Sequence, residues 1–331
     1  MKLCDRSSPG AQDRRYKMIL LLLVLVLSAL LLYSCATERA VRRNAAKADR
    51  APITGVIRGL EAVTILPSSS QTSSATLDTA CLLVHGFIGS PRDFGDFGEY
   101  LAQRGLTVRM MRLPGHCTTP VDFAYLSRGA LLAAVRQEYL NLRREFKTVY
   151  VVGFSMGATL SVLLASQESV DRLVLAAPYY SVRYRWHYIL PLETWNRLLR
   201  GFIHYIPKPE GFIQVNDRSV VHNIFTYDFI PTAGVSQLVE LGVEARRKDV
   251  LEKVKCPVLM IHSSGDMAAS FSASRRAYAL LGSEDKESLW LTRSNHHIFW
   301  DYDRAALKKR IADFLLSDRP AHTPAERTGA R

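Results

Sequence analysis

A Gly-x-Ser-x-Gly turn at residues 153–157 restricts this chain to few architectures. The β-branched pair Val151-Val152 leads into the turn, and an apolar, helix-forming run follows it. A Cβ atom at Gly153 or Gly157 would strike neighbouring backbone in so tight a turn, so the two glycines leave room and Ser155 is pushed out above the end of the strand. The order of strand, turn and helix therefore predicts Ser155 as a nucleophile at the carboxyl end of a sheet strand.

Strand-like and helix-like runs alternate on both sides of this turn. The predicted strands cover residues 79–84, 106–111, 148–152, 172–176, 257–262 and 287–291. Such alternation predicts an α/β fold with a doubly wound, mostly parallel sheet and right-handed crossovers, in which ligands bind at the carboxyl ends of the strands. A chain of 331 residues that is 48% hydrophobic can bury a core of this size.

The alternation stops between about residues 178 and 235, where the composition turns aromatic and basic. The aromatic residues of this stretch are Tyr179, Tyr180, Tyr184, Trp186, Tyr188, Trp195, Phe202, Tyr205 and Phe212. A single aromatic residue at helical spacing is most often core, whereas an insertion that is aromatic as a group favours an apolar lid, because lids exclude water from a reaction. We predict a helical cap of short helices separated by prolines, inserted into a domain over 79–317, and a disordered tail over 318–331.

The N-terminal segment has the features of a secretory signal. Arg14, Arg15 and Lys17 precede an uncharged apolar run over residues 18–32. This run is shorter than the roughly 20 residues that span a bilayer, which favours cleavage over permanent insertion. The Ser/Thr-rich composition that follows, ending near residue 74, predicts a flexible linker over 35–78.

The sequence Leu32-Tyr33-Ser34-Cys35 resembles a bacterial lipobox, in which the cysteine is lipidated and becomes the new N-terminus, although Tyr33 replaces the small residue usual there. The resemblance implies a signal peptide over 1–34 and a lipid anchor on Cys35. Ala36 resembles the residue that follows the cysteine in lipoproteins sent to the outer membrane, so the expected location is the periplasmic face of that membrane in the bacterial cell envelope. A simple membrane anchor and a soluble secreted product are the alternatives.

The formal net charge of +12 bears on possible partners. A basic surface can attract nucleic acid or an anionic bilayer. No zinc-ligand spacing or RNA-binding signature occurs, so no nucleic-acid partner is expected, and attraction to lipid head groups or plain solvated charge are the alternatives. The cysteines show no metal-ligand spacing, and Cys81 and Cys256 open strand-like runs as small hydrophobes, so neither a metal nor a cofactor is expected.

A serine nucleophile requires a base within hydrogen-bond reach and a carboxylate that orients that base. Two loops after late strands supply these groups, one ending at Asp266 and the other containing His296 and His297. The chain order of serine, acid and histidine predicts Asp266 as the orienting carboxylate and His296 as the general base and then the general acid. Asp228 and Asp301 are rival acids, disfavoured because Asp228 lies in the insertion and Asp301 follows the histidine.

From about residue 80 to 316 the chain resembles the α/β-hydrolase superfamily and, within it, the bacterial carboxylesterase and monoacylglycerol-lipase-like group. The matching motifs are His85-Gly86-Phe87, Leu113-Pro114-Gly115-His116, Gly153-Phe154-Ser155-Met156-Gly157, Cys256-Pro257-Val258-Leu259 leading to Gly265-Asp266, and Ser294-Asn295-His296-His297-Ile298. The family pattern Ser-x-His-x-Ile selects His296 over His297. Members usually follow the acid with branched apolar residues and often proline, whereas Met267-Ala268-Ala269-Ser270 follow Asp266 here.

The resemblance also implies an oxyanion hole and an activity. The backbone N–H of Met156, directly after the nucleophile, supplies one donor, and by resemblance Phe87 supplies the other. His85 and His116 are expected to shape loops. The implied reaction is hydrolysis of medium-chain acyl esters or monoacylglycerols through an acyl-enzyme on Ser155. The same turn serves thioesterases, amidases or peptidases and acyltransferases, and a non-catalytic lipid-binding lipoprotein is the alternative outside enzymes.

Overall fold

Seven strands form one sheet around the serine turn. A computed structural model of the chain describes residues 9–68, 78–183, 189–208 and 212–317. The strands of the main sheet are β1 (Val63–Ile65), β2 (Thr79–Val84), β3 (Thr107–Met110), β4 (Thr148–Phe154), β5 (Arg172–Ala176), β8 (Val258–Ser263) and β9 (Lys286–Leu291), and β6 (Tyr205–Pro207) pairs with β7 (Phe229–Pro231) outside it. The predicted tail over 318–331 and the aromatic residues Tyr184, Trp186 and Tyr188 lie outside the described residues.

The main sheet has the strand order β1-β3-β2-β4-β5-β8-β9. Its pairings are parallel, as in the register of Leu83 with Val152, except that β1 runs antiparallel to β3. The prediction of a mostly parallel, doubly wound α/β sheet is confirmed. Each strand predicted from the sequence coincides with a strand of this sheet to within two residues, and β1 is an additional edge strand within the interval predicted as a linker.

Helices cover both faces of the sheet. They are α1 (Pro9–Ala45), α2 (Phe97–Ala102), α3 (Pro120–Ala124), α4 (Arg128–Glu145), α5 (Met156–Ala165), α6 (Leu192–Leu199), α7 (Thr232–Ala245), α8 (Lys248–Leu251), α9 (Phe271–Leu280) and α10 (Arg304–Leu315), with 3-10 turns at Pro91–Phe94 and Arg218–Asn223. The cluster on one face holds Val151 together with α4, α5 and α7, and the cluster on the other holds Val152 together with α2 and α10. Because successive residues of a strand face opposite sides, a strand covered on both faces is apolar throughout.

The insertion between β5 and α7 differs from the helical cap that the composition predicts. It contains α6 and a 3-10 turn, but β6 and β7 pair as an antiparallel two-stranded sheet with Ile206 opposite Ile230. Tyr205-Ile206 and Phe229-Ile230 are aromatic and β-branched pairs, which favour strands. Proline ends each strand, where the missing N–H leaves no gap inside a ladder. The cap is therefore a mixed α/β layer.

The interval 35–78 also differs from the predicted flexible linker. Residues 35–45 continue α1, and the last turns of this helix pack on the cap through Val41, which is buried with Tyr205 and Phe229. Beyond the helix, Arg50 forms an isolated bridge with Ile57, and β1 joins the main sheet. The helix continues because its apolar side is covered by the cap, which no local pattern indicates. Residues 69–77 lie outside the described ranges.

The apolar part of α1 is exposed. Most of its leucines over 20–32 are exposed, from 42% at Leu27 to 72% at Leu32, whereas Leu30 is partly buried. Among the described helices, α1 is the one long and apolar enough to cross a membrane. Its position near the N-terminus and its composition fit either a signal sequence or a membrane anchor.

Candidate active site

The strand–turn–helix motif places Ser155 between β4 and α5. Its backbone has φ 54° and ψ −117°, in the left-handed half of conformational space that L-residues rarely adopt. Such a conformation costs about 1–3 kcal/mol and is held by surrounding contacts. One of these is the hydrogen bond from the Ser155 N–H to the carbonyl oxygen of Ala176, 2.9 Å long. A Cβ on Gly153 would lie 2.5 Å from Cα of Ala158, and one on Gly157 would overlap the carbonyl oxygen of Val84.

Three side chains from separate loops form one hydrogen-bonded chain. Nε2 of His296 lies 2.9 Å from Oγ of Ser155, and Nδ1 of His296 lies 2.7 Å from Oδ2 of Asp266. Ser155 follows β4, Asp266 follows β8 and His296 follows β9, so all three lie at the carboxyl ends of parallel strands, on the same edge of the sheet. All three are buried. In this geometry Nδ1–H donates to the carboxylate and Nε2 can accept the serine proton.

The carboxylate of Asp266 accepts four hydrogen bonds. Oδ1 accepts from the N–H groups of Ala268 and Ala269, both at 2.8 Å, and Oδ2 accepts from His296 and His262. Burial acts to raise the pKa of this carboxyl, but the charge of His296 and the imidazole hydrogen bonds outweigh it and hold the pKa below its ordinary value. The small residues after Asp266, a departure from the family pattern, thus donate through their backbone.

The alternative residues His297, Asp228 and Asp301 make contacts elsewhere. Burial lowers the pKa of His297 well below its ordinary value, and its backbone N–H donates to Gln214 of the cap. Asp228 accepts from the side chain of Asn44. Asp301 is buried and accepts from the backbone N–H groups of Asn216, Asp217, Asn295 and Tyr302. The geometry therefore joins His296 and Asp266, and not these rivals, to Ser155.

Sequence reasoning missed two residues that orient the acid and the base. His262 is fully buried, with Nε2 at 3.0 Å from Oδ2 of Asp266 and Nδ1 at 2.7 Å from Oγ of Ser274. The side-chain oxygen of Asn295 accepts from the N–H groups of Met267 and His296, each at 2.9 Å, and so links the loops that carry Asp266 and His296. The sequence offers one local signal for each residue. His262 begins the segment that ends at Asp266, and Asn295 directly precedes His296.

The loop after β2 places Phe87 at the same end of the sheet, since β2 pairs with β4 and Val84 lies opposite Gly153. Met156 is the first residue of α5, so its N–H has no partner within the helix.

Sequence reasoning also missed Asp93, whose carboxylate anchors the loop on both sides of Phe87. It accepts from the N–H groups of Gly86 at 2.9 Å and of Ser90 at 3.3 Å.

Two features show that this loop is held under constraint. Ile88, a β-branched residue, has φ 49°, which is strained for such a side chain. Asp93 is 2% exposed, and its burial raises the pKa to about 7 against the opposing effect of the two backbone hydrogen bonds. His85 connects this loop to the segment after β3. Its Nδ1 lies 3.0 Å from the carbonyl oxygen of Gly86, and its Nε2 accepts from the N–H of Leu113.

The described residues form no metal-binding cluster. Within the described ranges, no group of three or more His, Cys, Asp or Glu side chains is arranged to hold a metal ion. Cys81, Cys117 and Cys256 are buried thiols, and burial raises the pKa of Cys256 to about 12, so it is inert. Cys35 is exposed on α1.

Known proteins are similar to this chain in sequence and in fold. A thermostable monoacylglycerol lipase of Bacillus sp. (strain H-257) is 27% identical over 245 residues, which cover 71% of this chain and 89% of that protein. A carboxylesterase of Bacillus subtilis (strain 168) is 21% identical over 240 residues, 72% of this chain and 92% of that protein. A structure reported for the metagenome-derived lipolytic enzymes LipS and LipT aligns with a TM-score of 0.68 at 25% identity, covering 78% of this chain and 98% of that one.

The superfamily predicted from the sequence motifs is confirmed by these comparisons. The family model described as serine aminopeptidase, S33 (Hydrolase_4), matches residues 75–303, more than half of the chain. The matched interval contains β2 to β9 and the loops that carry Ser155, Asp266 and His296. This chain belongs to the Hydrolase_4 family of α/β-hydrolases.

Proposed function

We propose that this protein is a serine hydrolase that cleaves carboxylic esters through an acyl-enzyme on Ser155. The observation that carries the proposal is the unbroken chain from Oγ of Ser155 through His296 to Asp266, with distances of 2.9 and 2.7 Å. Relatives of this chain include a monoacylglycerol lipase and a carboxylesterase. Both reactions require a serine, a base and an orienting carboxylate in this order of contact.

In the first half-reaction Nε2 of His296 accepts the proton of the Ser155 hydroxyl while Oγ bonds to the carbonyl carbon of the ester. The N–H groups of Phe87 and Met156 donate to the oxyanion of the tetrahedral intermediate. The carbonyl re-forms as the C–O bond to the alcohol breaks, and His296 returns its proton to the leaving oxygen. In the second half-reaction water takes the place of the serine hydroxyl, and the acid is released with Ser155 restored.

Asp266 orients the imidazole and stabilises the positive charge that His296 gains in each step. Its low pKa keeps it ionised at neutral pH, and its two backbone hydrogen bonds fix the carboxylate plane. Asp93 holds the loop that bears Phe87 by contacts on both sides of that residue. These groups therefore keep the base and one oxyanion donor in place before substrate arrives.

We propose medium-chain acyl esters or monoacylglycerols as substrates. The loop that bears Phe87 is apolar, and Phe87 packs on a cluster of Ile88, Phe123 and Tyr227 beside the proposed oxyanion hole. Tyr227 belongs to the cap, so the cap contributes to this apolar wall. An acyl chain is the substrate group that such a wall would bind, since burial of each CH₂ contributes about 0.8 kcal/mol.

The proposal is tested with detergent-solubilised full-length protein and its Ser155→Ala variant. The wild-type protein should hydrolyse p-nitrophenyl butyrate, octanoate and 1-monooctanoylglycerol, and Ser155→Ala should lower turnover by at least about 10³-fold. Thermal melting of both proteins controls for folding. Undiminished turnover by Ser155→Ala would overturn the mechanism.

Peptide hydrolysis is the second candidate, because the matching family is described as serine aminopeptidase. Aminoacyl p-nitroanilides and acyl thioesters in the same assay distinguish amidase and thioesterase activity from ester hydrolysis, and product analysis with added alcohol detects acyl transfer. A fluorophosphonate probe that fails to label Ser155 would instead favour a non-catalytic lipid-binding protein.

We further propose that α1 attaches the enzyme to a membrane, with Cys35 as the site of a lipid anchor on the periplasmic face of the outer membrane. An exposed cysteine at the end of an apolar segment supports this proposal. Cleavage before Cys35 would cut α1 beside Ser34, which is buried, so this turn must unwind for the peptidase. Intact mass of the purified protein decides between a lipidated N-terminus at Cys35 and a retained helix, and Cys35→Ser should abolish lipidation.

A further inference from the structure

A cavity of about 590 Å³ lies between the last turns of α1 and the cap. Glu38 and Arg42 line it from α1, and Arg200 and His204 line it from the cap. The rest of its wall comes from α3 and the residue after it, from α7, and from two further residues of the cap. The residues of the proposed catalytic site do not line it, so this cavity is separate from the ester-hydrolysing site.

The cavity presents positive charge. The guanidinium group of Arg42 has no hydrogen bond or ion pair within the described part of the chain, and that of Arg200 has a single hydrogen bond there, from Nη1 to Oγ of Ser236 at 3.1 Å. Glu38 is paired with His204, with Oε1 at 2.7 Å from Nδ1. The two guanidinium groups are therefore the cationic side chains of the cavity that have no acidic partner among the described residues. Guanidinium groups bind phosphate through paired N–H donors.

The same cavity has an apolar wall. Val121 and Ala124 of α3 and Ala233 of α7 face it, and Tyr125, which also lines it, is 85% exposed. An inorganic anion needs no apolar wall, whereas a lipid has a glycerol backbone and acyl chains attached to its phosphate. Exposed tyrosine is also enriched where a protein meets the membrane interface.

The position of the cavity along α1 agrees with a lipid ligand. A hydrocarbon core of about 30 Å takes about 20 helical residues and, centred on the apolar run 18–32, ends near Cys35. Glu38 and Arg42 then lie about 5 to 10 Å further along the helix, at the level of lipid head groups. Basic pockets at this level bind anionic lipids.

We propose that this cavity binds the head group of an anionic phospholipid, with its phosphate on Arg42 and Arg200 and its glycerol backbone against the wall formed by α3. The proposal rests on the attachment of α1 to a membrane, and it holds whether α1 is retained or is shortened to a lipidated Cys35. A bound lipid bridges α1 and the cap, and so fixes the cap relative to the membrane.

The test measures binding of three soluble probes to full-length protein in neutral detergent by native mass spectrometry. The probes are dihexanoyl phosphatidylglycerol, dihexanoyl phosphatidylcholine and inorganic phosphate. We expect one phosphatidylglycerol per protein, bound at least about tenfold more tightly than either other probe, because only this probe combines net negative charge with an apolar body. Equal binding of phosphate would assign the site to a free anion, and equal binding of phosphatidylcholine would remove the role of charge; either result overturns the proposal.

Matched variants separate the cavity from general surface charge. Arg42→Gln/Arg200→Gln removes the cavity arginines, and Arg43→Gln/Arg197→Gln removes two exposed arginines of α1 and α6 that do not line it. The first pair should weaken phosphatidylglycerol binding by about tenfold or more and the second should not. Equal effects of both pairs would overturn the proposal. Arg42→Gln alone should also weaken binding, and it leaves the Arg200–Ser236 hydrogen bond intact.

Hydrolysis of p-nitrophenyl butyrate is measured on the same preparations. Neither pair touches the proposed catalytic site, so both should retain wild-type turnover, which also reports on folding. Loss of lipid selectivity with intact turnover would overturn the lipid site alone. Absence of turnover in wild-type protein that still binds phosphatidylglycerol would overturn the proposed hydrolysis alone.

Discussion

Nε2 of His262 lies 3.0 Å from Oδ2 of Asp266, the same oxygen that contacts His296. The carboxylate is thus held between two imidazoles, and Ser274 fixes the far nitrogen of His262 at 2.7 Å. Because an ionised carboxylate can only accept hydrogen bonds, Nε2 of His262 is the donor in this contact, and Nδ1 faces the hydroxyl group of Ser274. His262 is therefore a positioning residue for the carboxylate of Asp266.

We predict that His262→Phe lowers kcat by about 10- to 100-fold with little change in KM, because a hydrogen bond to a charged group contributes about 1.5–3 kcal/mol. His262→Gln should restore most of the activity, since its amide nitrogen can replace Nε2. Steady-state kinetics on p-nitrophenyl butyrate measure both. Equal kcat values for His262→Phe and wild type would show that the carboxylate of Asp266 is held in place without His262.

We predict that Asp266→Asn lowers kcat by about 10³- to 10⁴-fold, because an amide in place of the carboxylate favours the wrong tautomer of His296. In a Ser155→Ala background the same change should have almost no further effect, since residues that act as a unit are not additive. The double variant gives the decisive measurement. A further large drop there would mean that Asp266 acts outside the Ser155–His296 unit.

Asp93 should make the protein less stable as the pH rises from about 4 to 7. Its pKa is raised from 3.8 to about 7, so over this range the folded protein keeps a proton that the unfolded chain has released. Stability from this group is greatest below pH 4 and is lost, by up to about 4 kcal/mol, by pH 7. Asp93→Asn should flatten this dependence in thermal melting of the detergent-solubilised protein. An unchanged slope would contradict the raised pKa.

Gly157→Ala should destabilise the protein by at least about 1–3 kcal/mol, because its Cβ would overlap the carbonyl oxygen of Val84 at the centre of the sheet. Gly129→Ala in α4 is the matched control, since the nearest atom to its Cβ would be Oγ of Ser127 at 3.9 Å. The control should be neutral or slightly stabilising. Melting temperatures report both changes, and similar values would argue against close packing at Gly157.

The features predicted well are those that short segments of the chain determine. The turn around Ser155 is set by two glycines within five residues, and the positions of Asp266 and His296 follow from where their strands end. His262 and Asp93 could not be assigned in this way, because each acts through groups that only the folded loop brings near it. Asp93, for example, matters because its carboxylate meets the N–H of Gly86, seven residues earlier.

The structure of the N-terminal region is even less predictable from the local sequence. Val41 is buried by Tyr205 and Phe229, more than 160 residues away, so no nearby residue indicates that α1 continues past Cys35. The pairing of β6 with β7 likewise joins segments separated by a loop and a 3-10 turn, and the prolines in that stretch were consistent with short helices as well as strands. Tertiary contacts override local pattern in both places.

The antiparallel pairing of Val63 with Met110 has a consequence for how the protein can be shortened. Removing the chain up to Thr79 would remove β1 and make β3 the edge strand of the sheet. Its N–H and C=O groups on that side would then be unpaired. Such an edge recruits strands from other molecules. The segment between α1 and the hydrolase domain thus protects the edge of β3, and molecules that lack it would be prone to associate with one another.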